Sequence, residues 1–549
     1  MIRDISGWTI RLDPEEVAAR RAGGVWRGRT IADDARALAE AAPGRTCVRA
    51  GDEALTYGEA LARAERLAAG LWRLGLRPGD VVSFQLPNWL EAVVVDLAAA
   101  LLGLVVNPIV PIYRHAEVAQ ILADCRARAV LVPETDRGFA YGAMMRDLAA
   151  GLPDLAHVVV LRGTGGLAGT VAYEDLAAED GPVPWPAQRP EAVKLVMYTS
   201  GTTGRPKGVL HTHETMPRSL RCCVEHWGIA PGDVVLMPSP VTHITGYGWG
   251  LEMPFYHGLE AVLMERWQAD EAVALIDRHG ASVTVGATPF LAELVEAGER
   301  AGSRLASLKV FACGGAAVSP GLVRRANGLF ARGRACRVYG STEAPMVTLG
   351  FVGPGSADLA ADTDGRIVDY AVAVVDEAGA PAAPGREGEI LVSGASLFVG
   401  YADAAETRAA FTADGRFRMG DIGYLTGEGA VVITGRKKDL IIRGGENISA
   451  KEIEDALHRH PAVREAAVVA MPHPRLVETV CAYVIPREGA VPALPALAEH
   501  LARLGLARQK VPEHLEIVGA FPRTASGKIR KDVLRAQIAA RLAERSGDA

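Results

Sequence analysis

The chain reads as an α/β protein: a large N-terminal domain of mostly parallel sheets flanked by helices plus a β-rich subdomain, with a small mobile α+β C-terminal domain. Three observations predict this. The 549 residues exceed what a single core usually serves. From about residue 80 to residue 340, short β-branched runs alternate with Ala/Leu-rich stretches of helical length, the pattern of βαβ units. Residues 366–395 then read as strands without helices, and a smaller unit with its own strands follows Arg436. The break falls at Gly435-Arg436-Lys437-Lys438, giving expected domains 1–436 and 437–549.

The elements follow in order. Glu15 to Arg21 has a short helical pattern, and Thr30 ahead of Asp33 and Asp34 reads as a helix N-cap with acids in the first turn. Cys47–Arg49 and Ala54–Tyr57 form an expected hairpin around Gly51-Asp52. A long Ala/Leu-rich helix follows, then Pro78-Gly79-Asp80 turns into the buried strand Val81–Phe84. Ala92 to Val106 is the most membrane-like stretch. Asp96 interrupts it, and it is shorter than the roughly 20 apolar residues a span requires, so a buried helix is expected. Ala129–Val132 and His157–Leu161 are strands, and the four prolines between Gly181 and Pro190 mark a connection. A helix is expected from His211 through Cys223, and strands at Val234–Met237, Ser282–Gly286 and Leu308–Ala312. In the small unit, Ala466–Val469 and Cys481–Ile485 read as strands.

Composition narrows the function. A net charge of −6 gives no basic face for nucleic acid. The seven cysteines form no C-x-x-C pair, which fits reduced thiols and a cytoplasmic location. The N-terminus has charges and no apolar core segment of a secretory signal.

The chemistry concentrates first in Tyr198-Thr199-Ser200-Gly201-Thr202-Thr203-Gly204-Arg205-Pro206-Lys207-Gly208-Val209, which leaves the apolar run Ala192–Met197. Hydroxyls and backbone N–H groups suit phosphate oxygens, glycines let the backbone come close, and lysine adds positive charge. It is not a Walker A loop, because Gly208 and not a hydroxyl residue follows Lys207. The stretch resembles the phosphate-binding signature of the adenylate-forming superfamily: acyl-CoA synthetases, peptide-synthetase adenylation domains and firefly-type luciferases. Four further stretches match that family in order: Tyr339–Glu343, Gly420-Asp421, Gly435–Ile448 and Pro522–Lys531.

The resemblance implies roles residue by residue. Thr199, Ser200, Gly201, Thr202, Thr203, Gly204 and Lys207 would hold ATP phosphates, with Gly315, Gly340 and Ser341 also at the nucleotide. Tyr339 would stack on adenine, Thr342 touch phosphate, and Glu343 hold Mg²⁺, a hard cation that suits a carboxylate. Asp421 would bind the ribose hydroxyls. Met419 replaces the family's usual Thr and removes one hydroxyl there. Arg436 would contact ribose or phosphate, Lys438 would be the interdomain hinge, and Gly444 and Gly445 would approach the pantetheine of coenzyme A. Lys528 would neutralise charge at the reacting carboxylate and α-phosphate.

The implied activity has two steps: a carboxylate attacks the α-phosphate of Mg·ATP, and a thiol then attacks the acyl-AMP. By analogy the acid lies beyond His243, beside Ile244, Gly246, Gly248 and Gly250, whose missing side chains are expected to leave room for a bulky alicyclic, polycyclic or aromatic acid. His243-Ile244 stands where dihydroxybenzoate ligases often have His-Asn. Coenzyme A is the expected acceptor. Loading of a separate carrier protein, specialisation for one half-reaction, and a non-catalytic nucleotide-binding role remain open at this point, as does a homodimer.

Overall fold

The computed structural model describes residues 1–163, 166–199, 206–315, 318–443, 446–524 and 527–547. Among them, two largely parallel sheets form the N-terminal bulk. The first runs, edge to edge, Gly400–Tyr401, Lys207–Thr212, Val193–Thr199, Val105–Pro108, Val81–Phe84, Ala127–Pro133, His157–Leu161 and Val171–Ala172. Only its first two pairings are antiparallel. The second runs Arg334–Arg337, Val310–Cys313, Val283–Gly286, Val234–Met237, Glu260–Leu263, Thr46–Ala50 and Glu53–Thr56, parallel except at the last pair.

Most of the membrane-like stretch lies in the buried helix Leu90–Leu102, apolar on nearly every side because it packs among other elements of the largest core, while its end, Val105-Val106, enters the strand Val105–Pro108. Among the described residues no helix is long and apolar enough to cross a membrane. Thr30 caps its helix as expected: its Oγ1 accepts from Asp33 N at 3.3 Å, and Asp33 Oδ2 accepts from Thr30 N at 2.8 Å. The helix expected from His211 starts later. His211 pairs with Leu195 as a strand residue, and the helix runs Thr215–Trp227. Thr212 Oγ1 accepts from Thr215 N at 3.2 Å, so a hydroxyl turn separates the two elements.

An antiparallel sheet of Tyr370–Val375, Gly388–Gly394, Phe417–Leu425 and Val431–Arg436 follows, with its own apolar cluster. The smaller C-terminal domain is built on Glu446–Ser449, Leu440–Arg443, Val477–Pro486 and Val463–His473, with His514–Ile517 alongside. Separate apolar clusters line its two faces. The seven cysteines are buried and unpaired.

Candidate functional site

The site begins where the first sheet opens. Thr199 ends one strand and pairs in register with Lys207, which starts the next. Ser200, Gly201, Thr202, Thr203 and Gly204 lie outside the described residues. Lys207 Nζ is 3.3 Å from Glu406 Oε1 and 5.3 Å from the Tyr401 ring centroid.

The second stretch leaves the strand Arg334–Arg337, where buried Arg337 pairs with Asp364 at 2.6 Å. Tyr339 N donates to Thr348 Oγ1 at 3.1 Å, and its hydroxyl donates to Asp421 Oδ2 at 2.7 Å. A side chain at Gly340 would press on Met346 N at 2.5 Å, so the tight turn requires glycine. Ser341 Oγ accepts from Ala344 N at 3.2 Å. The Thr342 carbonyl accepts from His211 Nε2 at 2.7 Å, while His211 Nδ1 faces Thr215 Oγ1 at 3.0 Å. Burial lowers the His211 pKa to about 4, keeping the ring neutral. Glu343 Oε1 accepts from Tyr401 hydroxyl at 2.9 Å. Sequence reading passed over His211 and Tyr401. A buried polar residue on an otherwise apolar strand was the available signal for His211.

Asp421, almost fully buried and in the third motif, also accepts from the fourth: Arg436 Nε lies 3.0 Å from its Oδ1, across a register pair of adjacent strands. Burial and Asp421 together push the Tyr339 pKa well above its ordinary value, so the phenol stays protonated and donates. Met419 packs against the apolar cluster of the antiparallel sheet. Lys438 sits in the short turn Lys437–Asp439, where its carbonyl accepts from Arg535 Nη1 at 3.0 Å.

Lys528 lies in the same place. A Cβ at Gly315, whose φ is +79°, would be 3.6 Å from Lys528 Cε. Burial, then the charges of Arg436 and Lys438, lower the Lys528 pKa to about 8, against the opposing pull of Asp421 and Glu343. His243 is lowered to about 4, by burial and then by Lys528. Five separate stretches of chain therefore converge on one polar centre. Gly444 and Gly445 lie outside the described residues, between the paired strands Leu440–Arg443 and Glu446–Ser449.

One expectation changes. Gly246, Gly248 and Gly250 do not leave side-chain space for an acid. A Cβ at Gly246 would overlap the Pro240 carbonyl. At Gly248 it would meet Met216 Cε at 3.1 Å, and at Gly250 Leu263 Cδ2 at 3.0 Å. These glycines allow close packing around a π-helical turn, Tyr247–Glu252. His243 caps the helical segment ahead of it, with Nδ1 accepting from Thr245 N at 3.4 Å. Ile244 packs against the main apolar core.

Among the described residues no cluster of three or more carboxylate, imidazole or thiolate ligands forms. A magnesium ion here fits Glu343 together with substrate phosphates, the arrangement this ion favours.

Comparison with known proteins matches residues 35–402 to the model of the AMP-binding enzyme family and residues 452–528 to that of the AMP-binding enzyme C-terminal domain. The chain belongs to the AMP-binding enzyme family. A medium-chain fatty-acid–CoA ligase of Escherichia coli is 33% identical, with 98% of this chain and 95% of that one covered. A 2,3-dihydroxybenzoate-AMP ligase of Bacillus subtilis is 33% identical, with 99% of each chain covered. Among solved structures, ATP-bound MatB from Rhodopseudomonas palustris superposes with a TM-score of 0.82 at 27% identity, over 93% of this chain and 99% of that one. The anthranilate CoA ligase AuaEII in complex with anthranoyl-AMP, at 23% identity, shares the fold with a TM-score of 0.84 over 94% and 98%. This AMP-binding enzyme is thereby an AMP-forming ligase that adenylates acyl or aryl acids.

Proposed function

We propose that this AMP-binding enzyme activates an apolar-bodied carboxylic acid, aromatic or alicyclic, as its acyl-AMP and transfers the acyl group to the thiol of coenzyme A. The observation that carries this reading is the approach of Lys528 to Gly315, within electrostatic reach of His243, Glu343, Asp421 and Arg436.

In the first step a carboxylate oxygen attacks the α-phosphorus of ATP, the bond to the bridging oxygen breaks, and pyrophosphate leaves. Lys528 as an ammonium neutralises charge on the carboxylate and the α-phosphate, as a preorganised donor. Asp421, already an acceptor for Tyr339 and Arg436, would take the ribose diol. Magnesium on Glu343 would supply charge neutralisation for the leaving pyrophosphate. In the second step the thiol sulfur attacks the acyl carbonyl, the thiol proton is lost, and AMP departs as the leaving group. The domain division near Lys438 would let the small domain exchange Lys528 for the Gly444-Gly445 loop between the steps.

Neutral His243 and apolar Ile244 support an acid without a charged body, as do the relatives named for fatty and aromatic acids. The test is a panel of aliphatic, alicyclic and aromatic acids incubated with ATP, magnesium and either CoA or phosphopantetheinylated carrier protein, read by mass spectrometry. Acyl-AMP followed by acyl-CoA is the expected result. Acyl-AMP that accumulates with CoA and is consumed by carrier protein would overturn the choice of acceptor.

A further inference from the structure

The covalent link between the two domains is short, and contacts on either side fix where it can turn. Upstream, the last register pair of the antiparallel sheet is Arg436 with Asp421. Downstream, Arg535 Nη1 donates to the Lys438 carbonyl at 3.0 Å and lies 3.1 Å from Asp439 Oδ1. Arg535 belongs to the last helix, Lys531–Gly547, which is seated on the small domain. Leu534 and Ile538 of that helix are buried in an apolar cluster there, and the Leu534 carbonyl accepts from the Tyr483 hydroxyl at 3.0 Å. The peptide group between Lys438 and Asp439 therefore travels with the small domain. The backbone of Lys437 and Lys438 is left as the place where the two bodies can turn.

One hydrogen bond bridges that turn from the side. Ser449 Oγ donates to the Thr434 carbonyl, 15 positions away. Thr434 precedes the turn and is fixed in the large domain. Its neighbours Ile433 and Gly435 pair with Gly423 and Ile422, and Ile433 N donates to Asp364 Oδ2 at 2.8 Å. Ser449 follows the turn and is fixed in the small domain. It pairs with Leu440 and stands between Ile448 and Ala450, two residues of the small domain's core.

The same Ser449 Oγ accepts from Glu452 N at 3.3 Å and so caps the helix Ala450–Leu457. A hydroxyl can do both at once, donating its proton and accepting on a lone pair. The large domain leaves room for this approach at Gly435. A Cβ there would be 3.3 Å from Ser449 Oγ, the one described atom within 4 Å outside its chain neighbours. Thr434 and Ser449 lie on opposite sides of the turn, so rotation there separates them. In the orientation that joins them, Lys528 stands beside Gly315 in the polar centre.

We propose that the bond from Ser449 to the Thr434 carbonyl is an orientation latch. It holds the small domain with Lys528 at the nucleotide site, and it opens when that domain turns to present the Gly444-Gly445 loop. This rests on the two domain orientations proposed for the two steps. Ser449 is a positioning residue that acts through the placement of Lys528. One net hydrogen bond shifts an equilibrium between two orientations about fivefold.

Spin labels at Arg332→Cys in the large domain and Val491→Cys in the small one report the orientation directly. Both positions are exposed, and the seven native cysteines are buried. Double electron–electron resonance gives the distances between labels in the full-length enzyme, alone and with ATP and magnesium. Two distance populations are expected in the wild type. Ser449→Asp keeps an acceptor for the helix cap and has no proton to donate, so the population with the distance of this structure should fall about fivefold relative to the other. Ser449→Asn both accepts and donates, and should restore it. Gly435→Ala crowds the hydroxyl from the opposite domain and should act in the same direction as Ser449→Asp. A single wild-type distance with every ligand overturns the two-orientation reading and the latch with it. Two wild-type populations whose ratio is unchanged in Ser449→Asp overturn the latch alone.

Discussion

Two clusters among the described residues, each built from an aspartate, a tyrosine and a cation, invite comparison. In one, Asp421 accepts from Tyr339 at 2.7 Å and from Arg436 at 3.0 Å. In the other, Asp96 accepts from Tyr247 at 2.5 Å and lies 3.8 Å from Lys194 Nζ, which also pairs with Glu252. The groups are nearly the same, and their surroundings are not. The Arg436 side chain is 47% exposed, whereas that of Lys194 is 2% exposed. Asp421 can therefore exchange partners when a ligand arrives, because its cation has water to return to. Asp96 and Glu252 have nowhere to send theirs. Burial of the cation separates the proposed binding constellation from a structural one.

The largest expected effect tests that separation directly. Lys194→Ala should destabilise the fold by about 3–5 kcal/mol, since it leaves buried carboxylates without their cation. Arg436→Ala should cost less, because the Arg436 side chain is half exposed and Tyr339 still donates to Asp421, and should instead weaken ATP binding. Denaturant titration of both variants measures the difference, and equal losses would break the comparison.

Lys528→Ala should slow adenylation roughly 10²–10³-fold, the cost of removing one preorganised donor. Thioester formation from supplied acyl-AMP should persist. Pyrophosphate exchange at the wild-type rate would remove Lys528 from the chemistry.

Lys438→Pro should impair thioester formation far more than adenylation, because it fixes φ and removes an N–H at the proposed hinge. Parallel losses, followed by single-turnover kinetics of each half-reaction, would indicate damage without a hinge.

The pH dependence sharpens the electrostatic side. In the proposed mechanism Lys528 acts as an ammonium, and its pKa is lowered to about 8, so kcat/KM for adenylation should fall as pH rises through about 8. Arg436 is one cause of that lowering, so Arg436→Ala should move the fall to higher pH. A profile flat to pH 10 would contradict the placement of Lys528.

The last contrast concerns the glycines, where the test is the difference between two sites. Gly246→Ala should destabilise the protein more than Gly248→Ala. The first added methyl would strike the Pro240 backbone, the second the flexible end of Met216. Thermal melting of the pair decides it.

These results trace what sequence can carry. Asp421, Glu343, Tyr339 and Lys528 were legible because each sits in a motif whose order and spacing match a family. Asp96 read only as a flaw in an apolar run, since its partners Tyr247 and Lys194 are 151 and 98 positions away and carry no local pattern. The glycines after His243 misled for a related reason. A missing side chain leaves either an opening or a close contact, and only tertiary packing tells which. The alternation of strands and helices was local, and so was read well. The helix after the phosphate hairpin was displaced because the hydroxyl turn at Thr212 competes with helix nucleation.

The short strand Gly400–Tyr401 has a wider consequence. It pairs with the strand that carries Lys207, Val209 lying opposite Tyr401, while the Tyr401 hydroxyl holds Glu343 and the Phe398 N–H donates to the Glu343 carbonyl at 2.8 Å. A β-ladder thus acts as a ruler between Lys207 and Glu343, the residues proposed to hold phosphate and magnesium. Its graduations are backbone hydrogen bonds, which survive exchange of side chains. The stretch after His243, proposed to face the acid, is not marked on that ruler. Changes there would alter the acid taken and leave the spacing between Lys207 and Glu343 fixed.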